Sequence, residues 1–503
     1  MTCSQPLRPV RNPDYTDSTV AIIGSGFSGI CTAIDIIKRT QCRNLLILEK
    51  GNQVGGTWND NRYPGCACDV WSALYSFSFE QKSDWSREYP GQEEVRDYLI
   101  HVAEKYGLYR YIRFGTTVQE ARWDDSQGRW ILDVNVSGTV DSQVHESYQI
   151  TTDFLVSAVG QLNIPSWSSI PGIDDFTGKL MHSARWDRTY DFTDKRVAVV
   201  GNGATAAQIV PEMAKSVSHL AVYQRNPNWI MPRMDRTVSP VQQFILSYFP
   251  PVRWCKRAMM MCLREATFSI FTNAESSLSR TIRKTCAKMI ETGLQDKPEL
   301  CDKLVPKYSP GCKRILLSDD YYTALNRPNV DLETRPIRRV TTSGIETADG
   351  ELQEYDLIVF ATGFRSVEFM HPIRVYGKHG RPLSEIWKDG AAAYRGVTVE
   401  DLPNFGMLYG PNTNLGHNSI ILMIEAQSRY LSTLVGEVVQ AKIRGDSLVF
   451  QLRPEAMTAY NDRIQSQLER TSFSDPNCYS CINENCHECN GMITGLKERG
   501  NPA

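Results

Sequence analysis

Thr19-Val20-Ala21-Ile22-Ile23-Gly24-Ser25-Gly26-Phe27-Ser28-Gly29 is the stretch that decides the fold. An apolar run of β-branched residues reaches a glycine-spaced turn and continues into a helical pattern. About 20 residues on, Leu45-Leu46-Ile47-Leu48 ends at the acidic Glu49. The same design recurs at Arg196-Val197-Ala198-Val199-Val200-Gly201-Asn202-Gly203-Ala204-Thr205-Ala206. Its second run, Leu220-Ala221-Val222-Tyr223-Gln224, ends at the basic Arg225.

Each turn has a physical purpose. The first Gly makes the tight strand-to-helix turn, and the second lets backbone approach a pyrophosphate. The third position, Gly29 or Ala206, lets the helix pack closely on the sheet, its N-terminal amides aimed at the anion. A carboxylate such as Glu49 accepts hydrogen bonds from a free ribose hydroxyl, which suits FAD or NAD. A guanidinium such as Arg225 suits the extra phosphate of NADP. A lone glycine turn is weak evidence, but two copies, each with strand, helix and the appropriate charge, specify two different dinucleotides. The fold expected is α/β, with two Rossmann-like domains.

Length and composition agree. A chain of 503 residues exceeds a single core and implies two or three domains. Its 41% hydrophobic and 22% charged residues are those of a globular protein. A net charge of −2, with no Lys/Arg block, argues against nucleic-acid binding. No apolar run approaches a membrane span, and residues 1–18 contain no secretory h-region, so a cytoplasmic location is expected. Ten of the 14 cysteines are scattered through ordinary segments, which reads as reduced thiols.

The expected layout is a flexible lead over 1–17, a first nucleotide domain over 18–165 and a linker over 166–194. A second nucleotide domain covers 195–345, interrupted by helices over about 235–305. Residues 346–470 return to the first domain, and 471–503 form a Cys-rich tail. Arg122-Trp123 and Trp130–Val134 read as a hairpin around Asp124–Gly128. Phe154–Gly160 and Tyr355–Phe364 read as buried strands, the latter ending in Ala361-Thr362-Gly363 and returning to the first domain. The basic and apolar stretch Arg253–Met261 reads as a packed cap helix with a solvated basic face, the alternative being a membrane-surface helix.

Two further segments specify chemistry. One holds Gly55, Gly56 and Trp58, then Tyr63-Pro64-Gly65 and Asp69. The other holds Phe176, Gly178, His182, Trp186 and Asp187, matching F-x-G-x-x-x-H-x-x-x-W-[PD] at every fixed position. Together with the glycine loops and the Ala-Thr-Gly strand, they resemble the fingerprints of Baeyer–Villiger monooxygenases, which are class B flavoprotein monooxygenases. The resemblance spans residues 18 to about 435.

The resemblance implies an FAD- and NADPH-dependent monooxygenase. In that family NADPH reduces FAD, O2 adds at flavin C4a, and the resulting peroxide anion attacks a ketone to give an ester or lactone. It places Gly24, Gly26, Phe27, Ser28, Gly29, Glu49, Thr57, Trp58, Asp69, Tyr75 and Val118 around FAD. It places Gly201, Gly203, Ala204, Thr205, Ala206, Gln224, Arg225 and Lys313 around NADP, and counts Arg314 among the cofactor-binding residues, near the flavin. Arg314 and Asp69 are the implied catalytic pair, and His182 couples domain movement. The electrostatic case for Arg314 is independent: a permanent cation stabilises oxyanions, and one such donor contributes about 3–4 kcal/mol.

Simpler readings stand beside these. Arg314 fits a surface residue after Ser309-Pro310-Gly311, Asp69 fits a helix N-cap, and His182 fits a satisfied interdomain histidine. The loop Gly410–Asn418 fits either a flavin-facing helix start or a plain cap by Asn418 or Ser419. The alternative activities are N- or S-hydroxylation, a disulfide reductase using Cys66 and Cys68, and a non-catalytic flavoprotein. The pairs Cys478/Cys481 and Cys486/Cys489 lie four residues apart, too close for an ordinary zinc knuckle, so no metal is expected. The partners expected are O2 and a small apolar organic substrate, a ketone.

Overall fold

The computed structural model describes residues 16–137, 147–273 and 275–472. Its first sheet has eight strands. At its centre Asp17–Ile23 lies parallel to Leu45–Leu48 on one side and to Ser147–Ser157 on the other. The four residues Leu45–Leu48 are buried throughout, as expected of a strand covered on both faces. Beyond Ser147–Ser157 the sheet turns antiparallel through Arg129–Val136 and Thr116–Asp124. These two form the expected hairpin, with Trp123 opposite Trp130. Asp124 Oδ1 accepts the Ser126 amide at 2.8 Å, and Gly128 supplies the φ of 65° that the turn requires. Trp130 is fully buried and its indole N–H donates to Pro403 O at 2.8 Å.

The second sheet is all parallel, in the order 330–333, 219–223, 196–200, 357–360, 179–182. This corrects two boundaries. Leu357–Phe360 pairs with Arg196–Val200 and Lys179–His182, so it belongs to the second domain and the chain returns to the first only afterwards. Lys179–His182, expected in the linker, is the edge strand of that sheet. The return is made by Arg374–Tyr376 and Phe405–Met407, which join the first sheet. The long helix Ile420–Ile443 then packs in the first core with the loop helix Phe27–Thr40, where Ser428 Oγ donates to Asp35 at 2.7 Å. The first strand opens at Asp17, within the expected lead.

The insertion is helical as expected: Pro240–Tyr248, Pro250–Ala266 and Ser277–Gly293 are its long helices. Its orientation reverses the expectation of a solvated basic face. Lys256 is bonded to Glu88 at 3.0 Å, and Arg257 donates to Ala73 O and Ser76 Oγ. Arg264 lies over the Trp71 ring at 4.7 Å. The cations face the first domain because carboxylate, carbonyl and ring partners wait there, and Trp254, Met259 and Leu263 face outward.

Eight described cysteines are free thiols, but Cys312 is disulfide-bonded, which corrects the reading of the scattered cysteines as reduced at that one position. The Cys478–Cys489 cluster lies outside the described residues. Among the described residues no cluster of His, Cys, Asp or Glu suits a metal ion, and no helix is long and apolar enough to cross a membrane.

Candidate active site

Both glycine turns sit at the carboxyl ends of parallel strands, where open α/β sheets place their ligands. In the first, Gly24 has a φ of 104°, and a Cβ there would lie 2.6 Å from Ala158 O. A Cβ on Gly29 would lie 1.9 Å from Gly24 O, so the close helix–turn contact demands glycine. Gly55 N–H donates to Ser25 O at 3.1 Å, which sets the Gly55-Gly56 turn against the first loop. The helices that follow the two loops start at Gly26 and Gly203 with no side-chain cap. The helices after Ser239, Ser276 and Ser419 have side-chain caps, whereas those after Gly91, Phe249 and Arg453 also lack one. A Cβ built on Gly203 meets no atom within 4 Å, so space remains beside the amides of the second helix, while at Gly26 it would meet Gly56 Cα at 3.6 Å. Uncapped amides with open space before them fit a dinucleotide pyrophosphate.

Glu49 is buried at the end of its strand. Its Oε2 accepts from the Ser25 amide and hydroxyl at 2.8 and 2.7 Å, and its Oε1 accepts from Gly51 N–H at 2.7 Å. The carboxylate is therefore fixed at the turn, with acceptor capacity remaining on both oxygens. Phe27, Trp58 and Tyr75 form one aromatic group: Phe27–Tyr75 centroids are 5.2 Å apart and Trp58–Tyr75 5.5 Å. Trp58 Nε1 donates to the Tyr75 hydroxyl at 3.1 Å. Ser28 is buried in the same helix turn, and Thr57 is exposed, its hydroxyl 3.5 Å from Leu162 O. Val118 lies on the strand Thr116–Asp124, with its side chain in the same hydrophobic cluster as Leu46 and Leu48.

In the second loop Gly201 has a φ of 113°, and a Cβ there would lie 2.5 Å from Ala361 O. Gln224 Oε1 accepts from Asn202 Nδ2 at 2.9 Å, and its Nε2 donates to Lys303 O at 3.0 Å. It braces the loop. Arg225 follows on the surface. Tyr308 joins this end to Lys313: its hydroxyl donates to Pro227 O at 3.1 Å, and its ring lies 5.0 Å from Lys313 Nζ. Ala204, Thr205 and Ala206 open the helix, with Ala206 fully buried against the sheet.

Arg314 Nε donates to Asp69 Oδ2 at 2.7 Å, and Nη1 lies 3.4 Å from Leu415 O. Burial alone would raise the Asp69 carboxyl, but the Arg314 charge and hydrogen bond, with the Arg264 charge, hold it below the usual carboxylate range. Asp69 caps no helix, and Arg314 is tied across domains, so both simpler readings give way to this ion pair. Tyr409 lies within its field; burial, with Asp69, pushes its hydroxyl up to about 12 against the pull of Arg314. Ser419 caps the helix after the Gly410–Asn418 loop. Asn418 Nδ2 donates to Glu265 Oε1 at 2.6 Å, pinning that loop to the insertion.

Tyr409, Arg264, Glu265 and Gln208 were not found from sequence, and nothing local signals them. Gln208 accepts the Tyr63 hydroxyl at 2.9 Å and donates to Ala67 O at 2.9 Å. The Tyr63-Pro64-Gly65 segment thus forms a joint with the second domain's helix. Cys66 and Cys68 are free, and burial pushes the Cys66 thiol up to about 11 and the Cys68 thiol well above its ordinary value. Neither favours the thiolate a disulfide reductase needs.

His182 ends the edge strand and is 1% exposed. Ala184 N–H donates to Nδ1 at 3.1 Å, so the neutral ring carries its proton on Nε2, 3.4 Å from Thr362 Oγ1. Burial lowers its pKa to about 4, with Arg185 adding to the effect against bonds to Ser166 and Gly363. The folded pKa lies below the ordinary 6.5, so the neutral form stabilises the fold. That stability is complete above pH 6.5 and is lost as pH falls through about 4. The loss is on the order of 2–3 kcal/mol. Denaturant unfolding between pH 7 and 4 should show it, and His182→Gln should flatten the profile. An unchanged slope contradicts the assignment.

Residues 17–375 match the model of the flavin-binding monooxygenase-like family, and the chain belongs to that family. It is a class B flavoprotein monooxygenase. The chain is 58% identical to the FAD-binding monooxygenase ktnD of Aspergillus niger, over 94% of this chain and 77% of that one. It is 41% identical to a Baeyer–Villiger monooxygenase of Streptomyces coelicolor, over 92% and 86% of the two chains. Among solved structures it resembles cyclohexanone monooxygenase bound to ε-caprolactone. The TM-score there is 0.79 at 27% identity, covering 91% of this chain and 94% of that one. It also resembles the NADP+-bound cyclohexanone monooxygenase of a Rhodococcus species, with TM-score 0.79, 28% identity and 91% of each chain covered.

Proposed function

We propose that this chain inserts one atom of O2 beside the carbonyl of an apolar ketone, giving an ester or lactone. FAD binds in the first domain and NADPH in the second. The balance is ketone, O2, NADPH and a proton giving ester, NADP+ and water. Bound FAD, reduced by NADPH, supplies the activation of O2. The observation that carries the reading is the Arg314–Asp69 pair at 2.7 Å between the two nucleotide loops.

The chain's own residues do the rest. Asp69 engages Arg314 through Nε, which fixes the plane of the guanidinium. The guanidinium meets the negative charge that develops on oxygen as the carbonyl is attacked, without proton transfer, because Arg keeps its charge throughout. Tyr63 and Gln208 hold the two domains in register, and the Asn418–Glu265 bond holds the loop bearing Leu415 to the insertion, narrowing access for water. Arg225 and Lys313 meet the NADP 2'-phosphate.

The experiment is to follow NADPH consumption and identify products for matched ketones, thioethers and amines. Ester formation coupled to NADPH supports the proposal. Sulfoxides or hydroxylamines without esters favour heteroatom oxygenation and overturn it. Arg225→Ala should raise KM for NADPH about 10- to 100-fold, the equivalent of roughly 1.4–2.8 kcal/mol from a charge-assisted contact, and leave NADH use unchanged. Retained NADPH preference in that variant contradicts the role of Arg225.

A further inference from the structure

Within the helical insertion, Pro250–Ala266 turns its cations inward and its apolar side chains outward. Of the eighteen large hydrophobic side chains exposed among the described residues, eleven lie between Met234 and Phe268. Val241, Phe244, Ile245 and Tyr248 form a stripe on Pro240–Tyr248, a helix with no charged residue. On Pro250–Ala266 the outward residues Val252, Cys255, Met259, Cys262 and Ala266 follow a strict 3-4-3-4 spacing. Met259 is 57% exposed and Tyr248 70%.

We propose that this face is a two-fold interface with a second copy of the chain, in which Pro250–Ala266 packs against its own copy. A 3-4 repeat is the seam by which one helix packs along another, and small Cys and Ala residues let the backbones approach. The eleven side chains expose on the order of 1,000 Å², above the few hundred Å² of a monomer's largest patch and near the ~800 Å² per partner of a stable interface. Charge supports the choice of partner. Arg253, Lys256, Arg257 and Arg264 outnumber Glu265 on this helix, so two copies would repel if the cations faced outward. They are instead committed to Leu246 O, Glu88, Ala73 O and the Trp71 ring. The same commitment removes the cations that a peripheral membrane helix offers to anionic headgroups. An apolar stripe without charge meets itself across a two-fold axis, as isologous interfaces require.

The FAD-loaded 503-residue chain at micromolar concentration, measured by size-exclusion light scattering, tests this independently of the reaction. The proposal expects twice the chain mass of 56.9 kDa. Met259→Glu and, separately, Phe244→Glu should shift the mass to that of one chain, with unchanged FAD content and circular dichroism. If Met259→Glu fails to fold, Val252→Lys takes its place. A wild-type monomer overturns the proposal, and so does a dimer that survives both folded variants. Flotation of a wild-type monomer with phosphatidylcholine vesicles also overturns it, in favour of a lipid surface.

Discussion

Arg314→Ala should leave NADPH-driven bleaching of the flavin within a few-fold of wild type while ester formation falls by about 10²–10³. The argument is geometric before it is electrostatic. Arg314 follows Gly311, which has a φ of 91°, and reaches Asp69 in the other domain at 2.7 Å. One carboxylate on Nε fixes the guanidinium plane, so the charge is already oriented when negative oxygen develops. Arg314→Lys keeps the charge but loses the planar fork, and should recover only part of the rate. Asp69→Asn keeps an acceptor for Nε but removes the countercharge, and should fall between wild type and Arg314→Ala. Because Asp69 is held below the usual carboxylate range, its contribution should not vary from pH 6 to 9. Stopped-flow reduction and product quantification on the same preparations separate the two half-reactions. Ester formation at the wild-type rate in Arg314→Ala contradicts the assignment.

Gly29→Ala should be nearly devoid of FAD and unstable, whereas Gly203→Ala should fold normally and bind NADPH poorly. The contrast rests on what one methyl group meets. At Gly29 it would lie 1.9 Å from Gly24 O and 2.9 Å from Gly24 C, both backbone atoms that cannot rotate aside. The helix must then lift from the strand end, costing roughly 3 kcal/mol or more. At roughly 2–4 °C per kcal/mol, Tm should fall by about 6–12 °C. At Gly203 nothing lies within 4 Å, so Tm should hold, but the methyl group fills the space before the helix amides. KM for NADPH should then rise by about tenfold or more, as expected when a pyrophosphate loses close backbone approach. Thermal unfolding with bound-flavin absorbance checks the first variant, and steady-state kinetics the second. A yellow, fully stable Gly29→Ala protein contradicts the packing argument.

What the sequence discloses here is local. In each unit the glycine spacing, the strand patterning and the closing charge, Glu49 or Arg225, lie within about 30 residues, and two Rossmann-like units follow from them. The hairpin around Asp124–Gly128 is legible for the same reason. Leu357–Phe360 is not, because a strand buried on both faces has no alternation to say which sheet it enters. The Arg314–Asp69 pair joins residues 245 apart, and only family resemblance suggests it. Gln208 and Glu265 have no signal at all, since each is an ordinary polar residue on a helix until the domains meet. The insertion misleads outright. Its pattern gives an amphipathic helix but not which face turns inward, and the partners offered by Glu88, Ala73 and Trp71 draw the cations to the protein.

Isotope labelling is the most direct test of the central claim. The purified enzyme, FAD, NADPH and an apolar ketone under 18O2 should yield an ester or lactone one oxygen heavier than the ketone. That added atom should carry 18O, with one NADPH consumed per product. NADPH consumption that yields only hydrogen peroxide, or label appearing only in heteroatom oxides, would contradict ketone oxygenation by this chain.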